Sequence, residues 1–269
     1  MKKYIALIAM IICITAIAGC DNSGNAPAQT TAAGTPAQTT AVTTSGTEEV
    51  HEVTEYAFKA PEEEDTTEEA LAYLAEMAPA YKRYMDLRRT VPLSLEVTIT
   101  TKEGKYRSAI YIKDKKNFAT YSMDPLGNKT TVVYMDNKGY MIDEERKVVY
   151  CAEYNDKIFE ETFEEYNLTK IKADAVKNAD YLCDTMSYNG TEYNTVTITS
   201  GGQTTVNYLD KTTGKLAYTV SDTSETKIDL FENSFTNPHV FEIPPEYELK
   251  TLEDYIMEQR ENDEETQSQ

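Results

Sequence analysis

The sequence predicts a mainly β, α+β fold in which about ten antiparallel strands follow one another with few helices between them. Three observations carry this. Between Leu93 and Phe231 apolar and polar residues alternate with a period of two, the mark of half-buried strands. The alternating runs are separated by short stretches of turn chemistry, which join antiparallel neighbours because a parallel pair needs a crossover of a dozen or more residues. Helical spacing is confined to two places, one before the strands and one among them.

The body opens on the first of these. Thr66-Thr67-Glu68-Glu69 offers a capping box, in which a threonine hydroxyl takes a backbone N–H of the first turn and a glutamate reaches back. Leu71, Leu74, Ala78, Tyr81 and Met85 follow at helical spacing, and Pro79, lacking an N–H, is expected to kink this helix or restart it. After Pro92 the period changes, with Leu93, Leu95, Val97 and Ile99 alternating with Ser94, Glu96, Thr98 and Thr100. Strands are then read at Tyr106 to Lys113, Asn117 to Met123, Thr130 to Met135 and Lys147 to Ala152, joined by EGK, DKK, DPLGN, DNKG and DEER. A short amphipathic helix interrupts the meander. Ile158, Phe159, Thr162, Phe163 and Tyr166 form its dry side, and Glu160, Glu161, Glu164 and Glu165 its wet one. The second meander runs through Tyr181 to Tyr188, Tyr193 to Thr199, Thr204 to Leu209, Leu216 to Ser221 and Lys227 to Phe231. Asn189-Gly190, between its first two strands, is the strongest short-range hairpin signal, because both central residues of that turn take positive φ.

The ends of the chain are of another kind. Lys2 and Lys3 precede an apolar run from Ile5 to Ala18, shorter than the roughly 20 residues that span a bilayer, so residues 1–19 read as a secretory leader. Ile17-Ala18-Gly19-Cys20 resembles the bacterial lipobox. That resemblance implies acylation of Cys20, attachment to the cell membrane by an N-terminal lipid anchor, and a body facing outside the cytoplasm. Residues 20–65 read as a disordered linker: from Asn22 to Thr47 there is neither charge nor aromatic ring, and the stretch to Asp65 is strongly acidic. Residues 66–252 form the body and 253–269 an acidic tail.

Forty-six acidic against 26 basic residues, a net charge of −20, exclude unaided binding to a phosphate backbone, so no nucleic-acid partner is expected. A mean hydropathy of −0.55 excludes a polytopic membrane protein. Most of the charge is flanking, since residues 48–65 hold eight acids against Lys59 and the tail seven against Arg260. Catalysis has little to stand on, with His51 in the linker and His239 in a Pro-rich loop as the only imidazoles and no nucleophile motif, P-loop or metal-protease signature. No catalytic residue, metal or cofactor is assigned. Asp136-Asn137-Lys138-Gly139 reads as a hairpin turn, because Lys138 stands where a calcium loop needs an oxygen ligand. Cys151 and Cys183 permit either one disulfide closing a loop of about 33 residues or two free thiols. Tyr106, Tyr111, Tyr121, Tyr134, Tyr208 and Tyr218 fall in strands, where tyrosine either lines a ligand surface or fills a half-exposed sheet face.

The order of elements, the segment Tyr208 to Leu216 and the closing phrase Phe241-Glu242-Ile243-Pro244-Pro245-Glu246-Tyr247 resemble the LolA-like superfamily of envelope lipoproteins and carriers. The resemblance implies an open, strongly curved sheet, a half-barrel, with helices on its concave side over an apolar cavity. Ile110, Ile112, Phe118, Val133, Met135 and Leu216 would then supply the apolar pocket, covered by Leu71 and Leu74, or else a dry core. The function expected is a monomeric, non-enzymatic, membrane-anchored binding module for an acyl chain or other apolar ligand. The alternative is an envelope sensor or interaction protein that acts through a protein partner.

Overall fold

The computed structural model describes residues 65–258; the leader, Cys20, the linker up to residue 64 with His51, and the tail beyond residue 258 lie outside the described residues. Two helices come first, α1 (Thr67–Met77) and α2 (Pro79–Arg88), broken at Ala78, whose φ of −147° and ψ of 66° leave the helical region. Pro79 thus restarts the helix at a first-turn position, where its missing N–H has no intrahelical partner to lose. The capping box does not form. Thr66 Oγ1 instead accepts the N–H of Ala173 at 2.9 Å, Thr67 Oγ1 that of Ile171 at 2.9 Å, and Glu69 pairs with Lys177. Groups suited to a local cap are used to hold a loop distant in sequence.

The strands are β1 (Leu93–Thr101), β2 (Gly104–Asp114), β3 (Asn117–Met123), β4 (Lys129–Met135), β5 (Lys138–Asp143), β6 (Val148–Glu153), β7 (Asp180–Tyr188), β8 (Thr191–Ser200), β9 (Gln203–Leu209), β10 (Leu216–Ser221), β11 (Ser224–Glu232) and β12 (Glu248–Thr251). Between β6 and β7 lie α3 (Asp156–Asn167) and the short α4 (Ala173–Lys177). All ten expected strands are present; β5 and β12 are additional, as is α4. The Asp136-Asn137 and Asn189-Gly190 turns both carry the positive φ that a two-residue hairpin requires.

All twelve strands form one open, curved sheet, ordered β12-β6-β5-β4-β3-β2-β1-β11-β10-β9-β8-β7. Every neighbour is antiparallel except β12, which runs parallel to β6. The first meander therefore grows outward from β1, and the second starts at the far edge and returns to close against it. The β1–β11 seam joins residues more than 120 apart in sequence, such as Ile99 with Thr226.

One face carries the helices and the main core. Leu93, Leu95, Val97 and Ile99 of β1, with Ile112, Val196, Leu209 and Phe231, meet Leu74, Tyr81 and Tyr84 from α1 and α2, and Phe159, Phe163 and Tyr166 from α3. Phe118 is the hub, with ring centroids 4.6 Å from Tyr134, 5.5 Å from Phe159, 5.6 Å from Phe163 and 5.9 Å from Tyr166. The amphipathic pattern of α3 delivers these rings, and its N-cap Asn155 accepts the N–H of Ile158 at 2.9 Å. At the other end of α3, buried Arg88 donates to the carbonyl of Tyr166 at 2.8 Å, setting a cation against the negative end of the helix.

Candidate functional site

The second face of the sheet decides what this fold can bind, and it is treated differently along its length. After β11 the chain turns onto that face at the seam: Ser94 Oγ donates to the carbonyl of Ser234 at 2.8 Å and receives the N–H of Thr236 at 3.1 Å. A one-turn 3-10 helix, Pro238–Phe241, then lies over β3 and β4. Val240, Phe241, Ile243 and Tyr247 pack on Ala119, Val133, Ile142 and Val149, after which the N–H of Glu248 bonds to Lys147 at 3.0 Å and β12 joins β6. Residues 234–247 are therefore a strap running from the seam to one edge, and the Phe241-to-Tyr247 phrase is its apolar part. Where it reaches the edge it leaves a cleft of about 300 Å³, lined by Met135, Tyr140, Val149, Ile243, Pro244 and Tyr247 among others.

Under the strap, Tyr111 donates to Glu96 at 2.7 Å. Burial, helped by that bond, pushes the Tyr111 phenol up to about 12.

The six residues read as an apolar pocket do not converge. Ile110, Ile112, Phe118 and Leu216 lie on the helical face, between 0 and 3% exposed and packed among side chains of the main core. Val133 and Met135 lie on the other face: Phe118 pairs directly with Tyr134, so its neighbours in β4 point the opposite way. Val133 is sealed beneath the strap, and Met135 alone of the six lines the cleft. The cause is a β4 segment apolar at Val132, Val133, Tyr134 and Met135, where alternation gives no phase.

Of the two readings left open for Cys151 and Cys183, the structure has the free thiols. Cys151 sits on β6 paired with Tyr140 on the strap face, whereas Cys183 on β7 directs its thiol to the carbonyl of Met77 on the helical face at 3.4 Å. Nine strands separate β6 from β7 in the sheet. Burial raises the pKa of each thiol, so neither is activated. His239 stands on the strap, largely exposed, with Nδ1 2.8 Å from Glu242. Among the described residues no group of three or more His, Cys, Asp or Glu could hold a metal ion.

The candidate tyrosines divide. Tyr134 belongs to the Phe118 hub, Tyr111 lies beneath the strap, and Tyr106 packs at the border of the main core, donating to Glu103 at 3.2 Å. Tyr208 and Tyr218 instead join Tyr188 and Tyr193 on the strap-free part of the second face, with centroids of 4.5 Å for Tyr188–Tyr208 and 5.1 Å for Tyr188–Tyr218. Tyr188 donates to Glu225 at 2.6 Å, and this bond, more than burial, raises its phenol to about 12. Beside the cluster, on edge strand β7, Leu182 and Met186 are 66% and 42% exposed. They flank Asp184 on one face, and both sides of β7 are largely exposed along its nine residues. The sequence pattern marks Tyr208 and Tyr218 as candidates but not Leu182 and Met186. Their signal, two large apolar residues alternating with Asp184, does not tell an edge from an interior strand.

No family model and no curated protein matches the sequence. Among solved structures, a complex of MucA and MucB from Pseudomonas aeruginosa is similar at 10% identity and a TM-score of 0.40, over 67% of this chain and 62% of that one. An uncharacterized conserved protein from Thermus thermophilus gives 9% identity and a TM-score of 0.40, over 64% and 97%. A LolA superfamily protein from Nitrosomonas europaea gives 7% and 0.27, over 62% and 97%. Likenesses this distant bring no function with them.

Proposed function

We propose that this chain is a membrane-anchored, extracytoplasmic interaction protein that binds a protein partner on the strap-free half of its sheet. One observation carries the reading. The strap covers the second face over the first meander, while over the second meander the same face leaves Leu182 and Met186 exposed beside a tyrosine cluster in which Tyr188 and Tyr218 are half-exposed and Tyr193 and Tyr208 are buried. Tyrosine suits recognition because it is rigid, large and amphipathic, and exposed apolar residues grouped at one edge are what a docked partner would cover. The lipobox ending in Cys20 supports the location. A hydrolytic role has no support among the described residues, since their only histidine pairs with Glu242 on an exposed segment.

An acyl chain under the helices is the weaker reading, because Ile112, Phe118 and Leu216 are occupied by neighbouring side chains. The cleft beside the strap favours a second reading, a small apolar ligand. Its volume of about 300 Å³ stands at the low end of the roughly 300–1,000 Å³ of small-molecule sites.

Photo-crosslinking in the native host separates these readings. A crosslinker at position 182 or 218 is expected to give one discrete adduct with a protein identified by peptide sequencing, and one at position 240 none. Adducts from position 240 alone, or lipid co-purifying in place of protein, would overturn the partner reading.

A further inference from the structure

Strand β7 ends the sheet, and its backbone is not used up. The residues flanking a two-residue hairpin turn, here Tyr188 and Thr191, exchange both backbone hydrogen bonds, and the pattern alternates along the pair. Met186, Asp184 and Leu182 therefore bond to β8. Ser187, Thr185, Cys183 and Tyr181 turn their N–H and C=O groups away from the sheet. The N–H of Thr185 agrees with this phase, since it is taken by the Asp184 carboxylate at 2.7 Å and not by β8.

We propose that β7 receives an extended segment of the protein partner as an added strand, and that this segment places a lysine or arginine opposite Asp184. The inference rests on the interaction reading above and names the chemistry of the partner.

Charge selects the occupant. β7 contains Asp180 and Asp184 and no basic residue, and among the described residues neither aspartate pairs with a lysine or arginine. A second copy is disfavoured: Asp184 is the middle of the nine-residue strand, so antiparallel self-pairing in full register sets it against itself. Like charges directly opposite destabilise a strand pair, whereas opposite charges stabilise it. An incoming base pairs with the Asp184 carboxylate and draws it off the Thr185 N–H, which then enters the new ladder. Leu182 and Met186 lie two residues to either side of Asp184 on the same face, so the segment's residues two before and two after its base are apolar. Main-chain pairing of this kind supplies affinity, and the alternate side chains supply selection.

The test uses the full chain in detergent and a pair of labelled, end-blocked nonapeptides. Each has valine at positions three and seven and threonine elsewhere, with lysine or glutamate at position five. By fluorescence anisotropy the lysine peptide is expected to bind about tenfold more tightly than its glutamate twin, with Asp184→Lys reversing the order. Asp184 is exposed, so the variant should keep its urea midpoint. Equal affinities, or no binding of either peptide, would overturn the proposal and leave Asp184 as a guard against edge pairing. Amides of Tyr181, Cys183 and Ser187 already protected from hydrogen exchange before peptide is added would also overturn it, because the edge would then be filled by the chain's own residues or a second copy. Loss of peptide selectivity with crosslinks from position 182 intact removes the strand-pairing alone; loss of both removes the interaction reading as well.

Discussion

Over β3 and β4 the sheet is covered on both faces, by helices on one and by residues 234–247 on the other, whereas from β10 to β7 the helices pack on one face and no strap crosses the other. The residues differ accordingly. Beneath the strap stand Ala119, Val133 and Val149, at most 1% exposed, and on the open part Thr197, Tyr188, Leu182 and Met186. Two meanders of one sheet thus separate their tasks. The covered one can be optimised for packing, since side chains meet protein on both sides. The open one keeps its main packing to the helical side and leaves large apolar side chains of its edge strand in water. Changes in the covered half should therefore cost stability, and changes at the exposed positions of the open face, such as Leu182 and Met186, should not.

The sharpest contrast is Phe118→Ala. Four rings surround Phe118, which is wholly buried, so truncation loses both transfer free energy and the packing around a cavity. The expected cost is about 3–5 kcal/mol, read as a lower urea midpoint. A loss below about 1 kcal/mol would mean that the hub is not the centre of the covered half. Arg88→Ala comes next, at about 1–3 kcal/mol, because it leaves the carbonyl of Tyr166 without its charged donor at the end of α3. Arg88 Nη1 has no partner among the described residues, so Arg88→Met, which keeps the stem and drops the charge, should cost less than Arg88→Ala.

Alkaline titration probes the strap. The Tyr111 phenol is raised above its ordinary value by burial and by its bond to Glu96. The folded state thus holds a proton that the unfolded chain releases. Its contribution is fully present below pH 10 and lost as pH rises through about 12. The urea midpoint should fall across that window, and Tyr111→Phe should flatten the fall. A variant with an unchanged slope would show that the strap does not shelter this phenol.

Strap truncation is a smaller perturbation. Ile243→Ala removes a partly buried side chain from the second core, and about 1–2 kcal/mol is expected, below the 2–5 of a fully buried isoleucine. Hydrogen exchange should show the loss in β12 and the neighbouring edge of β6, with β1 and β11 unaffected.

Most of this architecture was legible because strand alternation and turn chemistry are local. What the sequence did not carry is set by contacts distant along the chain. β5 escapes because Gly139 interrupts its pattern; the glycine is there so that the Tyr154 ring can lie on the strand, 2.8 Å from where a Cβ would stand. β12 has four residues and pairs only because the strap brings it to β6. The phrase Phe241-to-Tyr247 was readable as a motif, but its role as a cover is tertiary. The pocket residues were split between faces because β4 is apolar on both, and the same ambiguity hides the edge: β7 alternates Tyr181 and Cys183 with Leu182 and Met186. What the strap fails to reach is likewise set by tertiary contacts and not by the pattern of β7.

The smallest expected effect tests that division most directly. Leu182 projects from the last strand with two thirds of its surface in water, and its face has no strap to pack against. Leu182→Ser should therefore change stability by no more than about 0.5 kcal/mol. If the open face is for docking, the same substitution should nevertheless weaken capture of the crosslinked partner, because it removes apolar contact area and adds a hydroxyl to desolvate. Stability and binding would then be separable by position on a single sheet. A stability loss comparable to that of Ile243→Ala would instead mean that β7 is packed in solution, and that the contrast between the two halves is one of sequence and not of exposure.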